Sequence, residues 1–480
     1  MKITKTPGQL RPAKICRVVA SFIFALLMPM LLSGCIEDGV TTSASDQPEF
    51  STPEVDLGTL FTSSPSATYH FTVYNRHDKV LSISKISLRE GDSSAFRLNV
   101  DGESARTFHG IEIRPNDSIY VFVESTIPPK GAATDYLPFD IEDSIDFLTN
   151  GVTRSVRIKA KGQDVEEVTD AVISTATRWD SHPRRVKGEL RIAEGGSLTI
   201  GKGVSVYFHK GAGIRVEGSL VTEGVPDAEG APGMVTLRGD RLDNVVGAQG
   251  YDLLASQWGG IDVAPTGRVS FSHTDMRGTE YGLRATGEGG KMPQVTLLNS
   301  RLHRSGGNAL SVTDGHLKAV GTELSDSKDA MLSLSGGEAQ LTNCTLINYY
   351  ISSVAVGPLL KVADSEATKV KATVDNCLMT NFRTGECVQP GDLTGFDVRI
   401  RSTLISAAGS DDDNFIGCLW NAWPDTYENH QENEYDYRLR AGSPGAGAGN
   451  PALLVAEGSK DMYGVTRRTD TPAMGAYEVE

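Results

Sequence analysis

One row of charged side chains in this sequence could perform acid–base chemistry. Asp275, Arg301 and Glu323 are spaced 26 and 22 residues apart, and each precedes an apolar Met or Leu that recurs along the chain. Arg277 lies two residues after Asp275, and His303 lies two residues after Arg301. If the repeats stack as parallel strands about 4.8 Å apart, the row forms a ladder of alternating charge. Two interpretations are open: a solvated face with cross-strand ion pairs, or a catalytic or anion-binding site.

A second set of side chains suits the binding of sugars. Trp420, Trp423 and Tyr427 begin a stretch of 18 residues that also holds Tyr435 and Tyr437, interleaved with acidic residues. Aromatic faces stack on the apolar faces of sugar rings, and carboxylates accept hydrogen bonds from hydroxyl groups. The first three residues are therefore candidates for ligand binding. The alternative is that these rings pack the terminal segment against the rest of the fold.

Metal binding has a single candidate, the acidic run Asp411, Asp412 and Asp413. Carboxylate oxygens are good calcium ligands, but three consecutive acids in a loop are also typical of a solvated surface. The nine histidines are scattered, and neither an HExxH nor a CxxC motif is present. We therefore expect no cofactor, with calcium at the acidic run as the alternative.

The apolar pattern predicts the scaffold that would position these side chains. One apolar residue per repeat aligns at Met276, Leu302, Leu324, Leu346, Met379 and Leu404. Three positions before each of the first five stands His, Asn or Gly, types that accept the left-handed conformation of a sharp bend between strands. A third apolar pair follows in the first four repeats, ending with Val354 and Val356. Three strands and about 22 residues per turn predict a parallel β-helix with three sheets. The pattern resembles the right-handed parallel β-helix of pectate-lyase-like proteins.

The first residues carry a signal for export. A basic stretch leads into 15 apolar residues, Val18 to Leu32, too few for a transmembrane helix. The run ends Leu32-Ser33-Gly34-Cys35, which resembles the lipobox of bacterial lipoproteins. This resemblance implies a signal peptide over residues 1–34 and acylation of Cys35. It also implies a tether over 35–48 and a lipid-anchored location in the outer membrane, on the cell surface or facing the periplasm.

The remaining chain divides into segments with different patterns of apolar and polar residues, and all of it is expected to be β-structure. Residues 49–165 alternate like half-buried strands of a β-sandwich, and Val55-Asp56-Leu57-Gly58 resembles immunoglobulin-like modules of bacterial surface proteins, which act as spacers. Residues 166–186 are expected to be a linker, and 187–410 the β-helix. Residues 411–480 contain Met474-Gly475-Ala476-Tyr477, which resembles the closing segment of choice-of-anchor surface proteins. We expect them to form a loop and a cap, because a solenoid needs its open end covered.

The four cysteines after Cys35 fall into two pairs. Cys344 and Cys377 occupy the same inward site in neighbouring repeats, so we expect them to stack in the core, with a disulfide as the alternative. Cys387 and Cys418 lie in loop-like sequence, and for them a disulfide and two free thiols are both open.

The net charge and the export signal together limit the possible functions. The net charge is −15, and losing the five cations of the leader makes it −20, which excludes nucleic acid and leaves the lipid as the contact with the membrane. The favoured hypothesis is a surface lipoprotein for binding, adhesion or display, with a glycan or a cell-surface molecule as ligand. The alternative is a polysaccharide lyase or glycoside hydrolase acting on acidic or complex glycans. The oligomeric state does not follow from the sequence.

Overall fold

The computed structural model describes residues 39–130, 137–229, 231–246 and 249–479. Cys35 and the leader lie outside these residues. The described chain is all-β, as the sequence predicts, apart from four single-turn 3-10 helices at Gly91–Ser93, Tyr251–Leu253, Pro451–Leu453 and Ala456–Gly458. None of the helices in these ranges has the length and hydrophobicity needed to cross a bilayer.

The first ten strands form two five-stranded sheets. In chain order they are β1 (Glu49–Phe50), β2 (Glu54–Phe61), β3 (Tyr69–Tyr74), β4 (Leu81–Leu88), β5 (Phe96–Val100), β6 (Glu103–Ala105), β7 (Thr107–Ile113), β8 (Ser118–Ser125), β9 (Phe139–Thr149) and β10 (Val152–Gln163). One sheet has the order β1-β3-β8-β5-β6 and the other β2-β10-β9-β4-β7. Strands β3 and β8, and likewise β4 and β9, pair antiparallel. Buried side chains alternate with more exposed ones along β3 and β8, so one side of this sheet is buried.

Thirty further strands follow. They are β11 (Glu166–Ile173), β12 (Ala176–Trp179), β13 (Arg184–Ile192), β14 (Ser197–Gly201), β15 (Ser205–Phe208), β16 (Gly213–Val216), β17 (Ser219–Glu223), β18 (Val235–Gly239), β19 (Asn244–Val246), β20 (Gln249–Gly250), β21 (Gly260–Val263), β22 (Arg268–Ser272), β23 (Thr274–Arg277), β24 (Leu283–Thr286), β25 (Gln294–Leu298), β26 (Arg301–His303), β27 (Leu310–Thr313), β28 (His316–Val320), β29 (Glu323–Ser325), β30 (Leu332–Ser335), β31 (Glu338–Thr342), β32 (Thr345–Asn348), β33 (Leu360–Ala363), β34 (Lys371–Asp375), β35 (Leu378–Asn381), β36 (Val388–Gln389), β37 (Asp397–Arg401), β38 (Leu404–Ile405), β39 (Phe415–Ile416) and β40 (Leu419–Trp420).

All of these strands except β19 and β20 pair in parallel into large sheets of 18 and 10 strands, consistent with a parallel β-helix. Strands β19 and β20 pair antiparallel in a separate two-stranded sheet. Three strands recur in each turn and define three rows. Row A contains β15, β18, β23, β26, β29, β32, β35, β38 and β40, and row B contains β16, β21, β24, β27, β30, β33 and β36. Row C is the 10-stranded sheet, β12-β14-β17-β22-β25-β28-β31-β34-β37-β39. We call residues 166–420 the β-helical region.

The predicted register holds through most of this region. Leu302 pairs with Leu324, and Leu324 pairs with Leu346, a step of 22 residues each time. All three side chains are at most 1% exposed. The apolar stack is therefore continuous from turn to turn, and it supplies the core of the β-helical region.

Two details of the predicted register are wrong. In the last turn Met379 pairs with Ile405, one residue beyond the expected Leu404. This shift places Val398 and Ile400 at the inward sites, so the pattern that fails in the sequence is regular in the structure. The inward pair that the sequence predicts at Val354 and Val356 lies instead at Leu360 and Val362, because the loop before β33 is longer than in other turns. Val354 is 96% exposed.

The stretch predicted to be a linker, residues 166–186, is the start of the β-helical region. Strand β11 pairs in parallel with β13, and β12 pairs with β14. Most of its polar residues face outward, while Ile173 and Trp179 are buried in the hydrophobic core. Arg184 is an exception, because it pairs with the inward Val206 and is 7% exposed. The charge-rich composition belongs to one outward side of paired strands, and this misled the sequence interpretation.

The bends between row C and row A have the predicted left-handed backbone. His273, Asn299, Gly321, Asn343 and Asn376 have φ values of 44°, 47°, 60°, 50° and 52°. Their positions stack from turn to turn, so the asparagine amides form a column along one edge of the β-helical region. A short polar side chain that tolerates positive φ suits such a position.

The asparagine column binds the C-terminal segment, residues 437–479. Each amide donates a hydrogen bond to a carbonyl of that segment: Asn299 to Lys460 (3.2 Å), Asn343 to Ala473 (3.1 Å) and Asn376 to Asn450 (2.9 Å). A second hydrophobic cluster fills the space between the segment and row A, and it includes Ile347, Leu378, Met462, Met474 and Tyr477. The segment expected to cap the open end therefore lies along the flank of row A.

Gly321 interrupts the asparagine column, and Arg467 of the C-terminal segment occupies the space beside it. A Cβ atom on Gly321 would lie 2.2 Å from Oδ1 of Asn299 and 3.9 Å from Nη2 of Arg467. The Arg467 side chain is 1% exposed, and its Nη2 donates to the carbonyl of Ala476 at 2.7 Å. The positive φ is one that asparagine also adopts at the equivalent bends, so the close approach of Asn299 is what favours glycine here.

Candidate functional site

The charged row predicted from the sequence is assembled in row A. Strands β23 and β26 place Asp275 beside Arg301, and β26 and β29 place Arg301 beside Glu323. The Asp275 carboxylate lies 2.9 Å from Nη1 of Arg277, 3.3 Å from Nη2 of Arg301 and 3.0 Å from Nε2 of His303. The Asp275 carboxylate therefore contacts two guanidinium groups and an imidazole.

This row is buried, which contradicts the expected solvated face. Glu323 is 1% exposed and accepts hydrogen bonds from Ser325 Oγ (2.6 Å) and from the hydroxyl of Tyr477. The side chains of Asp275 and His303 are 13% and 7% exposed. Tyr477 of the C-terminal segment covers Glu323, and Asp252 of the loop before β21 contacts Arg277 at 3.4 Å. Neither neighbour could be read from the repeat pattern.

Burial and the neighbouring charges set the ionisation of the row. Burial lowers the pKa of His303 to about 3, despite the nearby Asp275, so the imidazole is neutral at neutral pH. Burial alone would raise the pKa of Asp275, but Arg277 and Arg301 hold it well below its usual range. The ionised Asp275 carboxylate and the neutral His303 imidazole are both largely buried, so the arrangement favours a structural ion cluster over acid–base catalysis.

Asp326, at the end of β29, is a further buried carboxylate. The hydroxyl of Tyr437 in the C-terminal segment donates to both of its oxygens, each at 2.8 Å. The amide of Tyr349 donates to Oδ1 at 2.8 Å. Burial nevertheless raises the pKa of Asp326 to about 6, because these partners and Arg304 offset only part of the cost of desolvating the charge.

The aromatic rings singled out in the sequence contact different neighbours. Trp420 packs on Phe415 with ring centroids 4.9 Å apart, and its Nε1 donates to Asp411 at 3.0 Å. Trp423 is 46% exposed and packs on Phe382 at 5.6 Å. The structure therefore does not bring these two rings together into a platform with Tyr427, and it places Trp420 against the last turn of the core.

Tyr427 lines a pocket of about 350 Å³ in the C-terminal part of the chain. The ring of Tyr463 lies on the other side of Arg438, whose Cζ is 5.6 Å from the Tyr427 centroid and 5.1 Å from the Tyr463 centroid. The two rings are 48% and 41% exposed. Arg440 approaches the ring of Tyr427 at 4.8 Å. Two accessible aromatic rings thus flank a guanidinium group in a concave site.

The pocket is built on fixed polar contacts. Asp436 accepts two hydrogen bonds from Arg438, from Nε at 3.0 Å and Nη2 at 2.6 Å, and this raises the pKa of the guanidinium. At the floor, Asp461 accepts from the backbone amides of Tyr463 and Val465, each at 2.9 Å. Glu478 accepts from the amide of Ala473 at 3.1 Å. The acids therefore hold the loop shape, while the rings and Arg438 face the open volume.

Sequence reasoning found Tyr427 but missed Tyr463, Arg438 and Arg440 as its neighbours. Tyr463 is 36 residues away in a segment without a repeat, so no spacing rule could bring it to Tyr427. The isolated bridge between Thr426 and Leu439 places Tyr427 beside Arg438, whose carbonyl accepts from the amide of Tyr427 at 3.2 Å. The only available signal was the density of Tyr and Arg among the residues after 420.

The acidic run caps a loop. Asp411 accepts hydrogen bonds from the amides of Gly417 (2.5 Å) and Cys418 (3.2 Å), and Asp412 accepts from the amide of Phe415 (2.8 Å). Asp413 is exposed. Within the described ranges, no group of three or more His, Cys, Asp or Glu side chains is arranged to hold a metal ion.

The four described cysteines are free thiols. Cys344 and Cys377 stack in the core on neighbouring turns, where the amide of Cys344 lies 3.3 Å from Sγ of Cys377. Cys387 contacts Ser406, and Cys418 contacts the carbonyl of Ile400 at 3.4 Å. Cys387 and Cys418 are thus held by different neighbours, and the structure contains no disulfide between them.

Comparison with known proteins identifies no family. No family model and no curated protein matches the chain. Among solved structures, it is similar to Dex49A from Penicillium minioluteum, with 10% identity over 78% of this chain and 80% of that chain and a TM-score of 0.24. It is also similar to a protein of unknown function from Porphyromonas gingivalis W83, with 15% identity, a TM-score of 0.19 and coverage of 27% of this chain and 50% of that one. A family 123 glycoside hydrolase from Clostridium perfringens has 9% identity, coverage of 28% and 30%, and a TM-score of 0.18. With TM-scores this low, none of these similarities supports a shared fold or function.

We predict that Asp275→Asn strongly destabilises the protein, by about 3–5 kcal/mol, because Arg277 and Arg301 lose the buried counter-charge that they share, and Arg277 keeps Asp252 at 3.4 Å. Asp262→Asn is the matched control, since Asp262 also bridges two arginines, Arg215 at 2.7 Å and Arg284 at 2.9 Å, but on the more open row B. That change should cost at most about 1 kcal/mol. Urea unfolding measures both, and equal losses would contradict a buried row.

We predict that stability changes with pH through Asp326. Its pKa is raised from 3.8 to about 6 on folding, so the folded state binds more protons between these values. Its contribution is therefore most favourable below about pH 4 and is lost as the pH rises through 6. A shift of about two pKa units corresponds to roughly 3 kcal/mol. The free energy of unfolding of Asp326→Asn relative to wild type should increase by about that amount from pH 4 to pH 8. Asp413→Asn, at an exposed site, serves as the control, and a pH-independent difference for Asp326→Asn would refute the assignment.

Proposed function

We propose that this chain is a lipid-anchored protein of the bacterial outer membrane that binds a glycan at the cell surface. In this proposal, residues 1–34 are a lipoprotein signal peptide and Cys35 carries the lipid. Residues 49–165 are an immunoglobulin-like spacer, and a right-handed parallel β-helix displays the binding site. The support for the anchor is the sequence Leu32-Ser33-Gly34-Cys35 after a basic and apolar leader.

The observation that carries the binding function is the pocket between Tyr427 and Tyr463. A sugar ring presents apolar C–H faces to aromatic rings and hydroxyl groups to charged donors and acceptors. The pocket offers both, because its two rings are accessible and Nη1 of Arg438 has no hydrogen-bond partner within the described residues. The volume of about 350 Å³ lies within the range of small-molecule sites.

Binding is favoured over glycan cleavage by the position of the charged residues. A lyase or glycosidase needs a carboxylate and a base or second carboxylate facing bound substrate. The catalytic candidates are largely buried: Asp275, Arg301, Glu323 and His303. The acids lining the pocket, Asp461 and Glu478, are engaged by backbone amides.

We predict that Cys35→Ala releases the protein from the membrane fraction, because one thiol would carry the whole anchor. The measurements are fractionation of cells and the mass of the N-terminal peptide. Cys16→Ala, a change of the leader cysteine, is the matched control and should leave both unchanged. Retention of the Cys35→Ala variant in the membrane would rule out this anchor.

We predict that Tyr427→Ala combined with Tyr463→Ala reduces glycan binding at least about tenfold, since both stacking surfaces are lost. The measurement is binding of the full chain to a glycan array, followed by titration of the best glycan. Trp423→Ala is the control: this ring is exposed to a similar extent in the same part of the chain but packs on Phe382. Absence of binding by the wild type, or an equal effect of the control, would refute the site.

A further inference from the structure

One face of the N-terminal sheet β1-β3-β8-β5-β6 carries a cluster of surface aromatic rings. His70 lies on β3, and Tyr120 and Phe122 lie on β8. The ring centroids of His70 are 5.4 Å from Tyr120 and 5.8 Å from Phe122, and those of Tyr120 and Phe122 are 6.1 Å apart. Tyr120 is 55% exposed, His70 is exposed and Phe122 is partly buried. We call these three rings the aromatic face.

The alternation of the strands shows that these rings are not part of the core. The inward neighbours Phe71, Val73, Val121 and Val123 are at most 2% exposed. The rings of the aromatic face therefore point to the opposite side of the same sheet. Large aromatic side chains on a solvated sheet surface do not contribute to the core, and a group of them in contact is typical of a binding surface.

Free hydrogen-bonding groups surround the aromatic face. Thr72 is paired with Tyr120, and Asn99 of β5 is paired with Phe122. Within the described part of the chain, neither the Thr72 hydroxyl nor the Asn99 amide makes a side-chain hydrogen bond. The charged neighbours are already engaged, because Glu124 accepts from Thr68 at 2.6 Å and Arg97 donates to Thr126 at 2.8 Å. The surface therefore combines apolar rings with uncommitted neutral polar groups.

We propose that the aromatic face is a second ligand site, which binds an extended polysaccharide of neutral sugars. The rings would stack on the apolar faces of successive sugars, and Thr72 and Asn99 would bond to their hydroxyl groups. A sheet surface is open at both ends, so it can accommodate an internal stretch of a long chain. Arg97 and Glu124 are cross-strand partners of opposite charge, so the surface has no excess of either sign here, which favours a neutral ligand over a charged one. The module expected to be only a spacer would thus bind on its own account, independently of the Tyr427 pocket.

The test is affinity electrophoresis of the full chain in gels containing hydroxyethylcellulose, glycol chitin, xylan or laminarin. We expect at least one polysaccharide to retard the wild type. The His70→Ala, Tyr120→Ala double variant should bind it at least about tenfold more weakly. Tyr120→Phe keeps the ring and should bind like the wild type. The Tyr427→Ala, Tyr463→Ala variant should also retain this binding, which separates the aromatic face from the pocket.

Folding of each variant is checked by its melting temperature. If the double variant unfolds, the single Tyr120→Ala change removes the most exposed ring and gives the same test. The proposal is overturned if none of the four polysaccharides retards the wild type, or if the ring variants bind as well as the wild type. Binding of a protein partner that requires these rings, without retardation by any polysaccharide, would also overturn it.

Discussion

The hydrogen bonds between the asparagine column and the C-terminal segment are the contacts on which the rest of this structure depends. A left-handed bend recurs once per turn, and the side chain at that bend is free to bond outside the β-helical region. Asn299, Asn343 and Asn376 use this freedom to fix a segment that has almost no regular secondary structure of its own. Several features on the outward side of row A follow from that attachment. Tyr477 covers Glu323, Tyr437 reaches Asp326, and the two halves of the Tyr427 pocket are brought together.

Attachment through many polar contacts also explains why so many ionisable groups lie in the interior. A wholly apolar surface on row A could pack against the C-terminal segment without burying any charge. Row A instead carries Asp275, Arg301 and Glu323. Each charge must then find a partner, and the structure supplies one for every carboxylate of the row. Such an interface is more specific than it is stable, since a mispositioned segment would leave charges without partners.

The repetitive part of the fold could be predicted from the sequence, and the non-repetitive part could not. Period, inward residues and left-handed bends follow from local rules, and Leu302, Leu324 and Leu346 stack as expected. The errors occur where the period changes. A long loop before β33 moves the inward pair to Leu360 and Val362, and a shift of one residue in the last turn places Ile405 where the sequence predicts Leu404. The exposure of a side chain depends on what packs over it, and no pattern within a strand records that. For this reason the charged row was placed in solvent and the pocket was only half found.

The gap at Gly321 has a consequence for how this chain can change in length. Solenoids commonly gain or lose whole turns, since each turn contacts only its neighbours. Here Arg467 fits beside a single turn, while Lys460, Ala473 and Asn450 bond to turns on either side of it. A turn added or deleted among these would displace every later contact by about 4.8 Å. Evolution and protein engineering are therefore constrained in the number of turns between residues 299 and 376, because the protein's own C-terminal segment holds this stretch at fixed length.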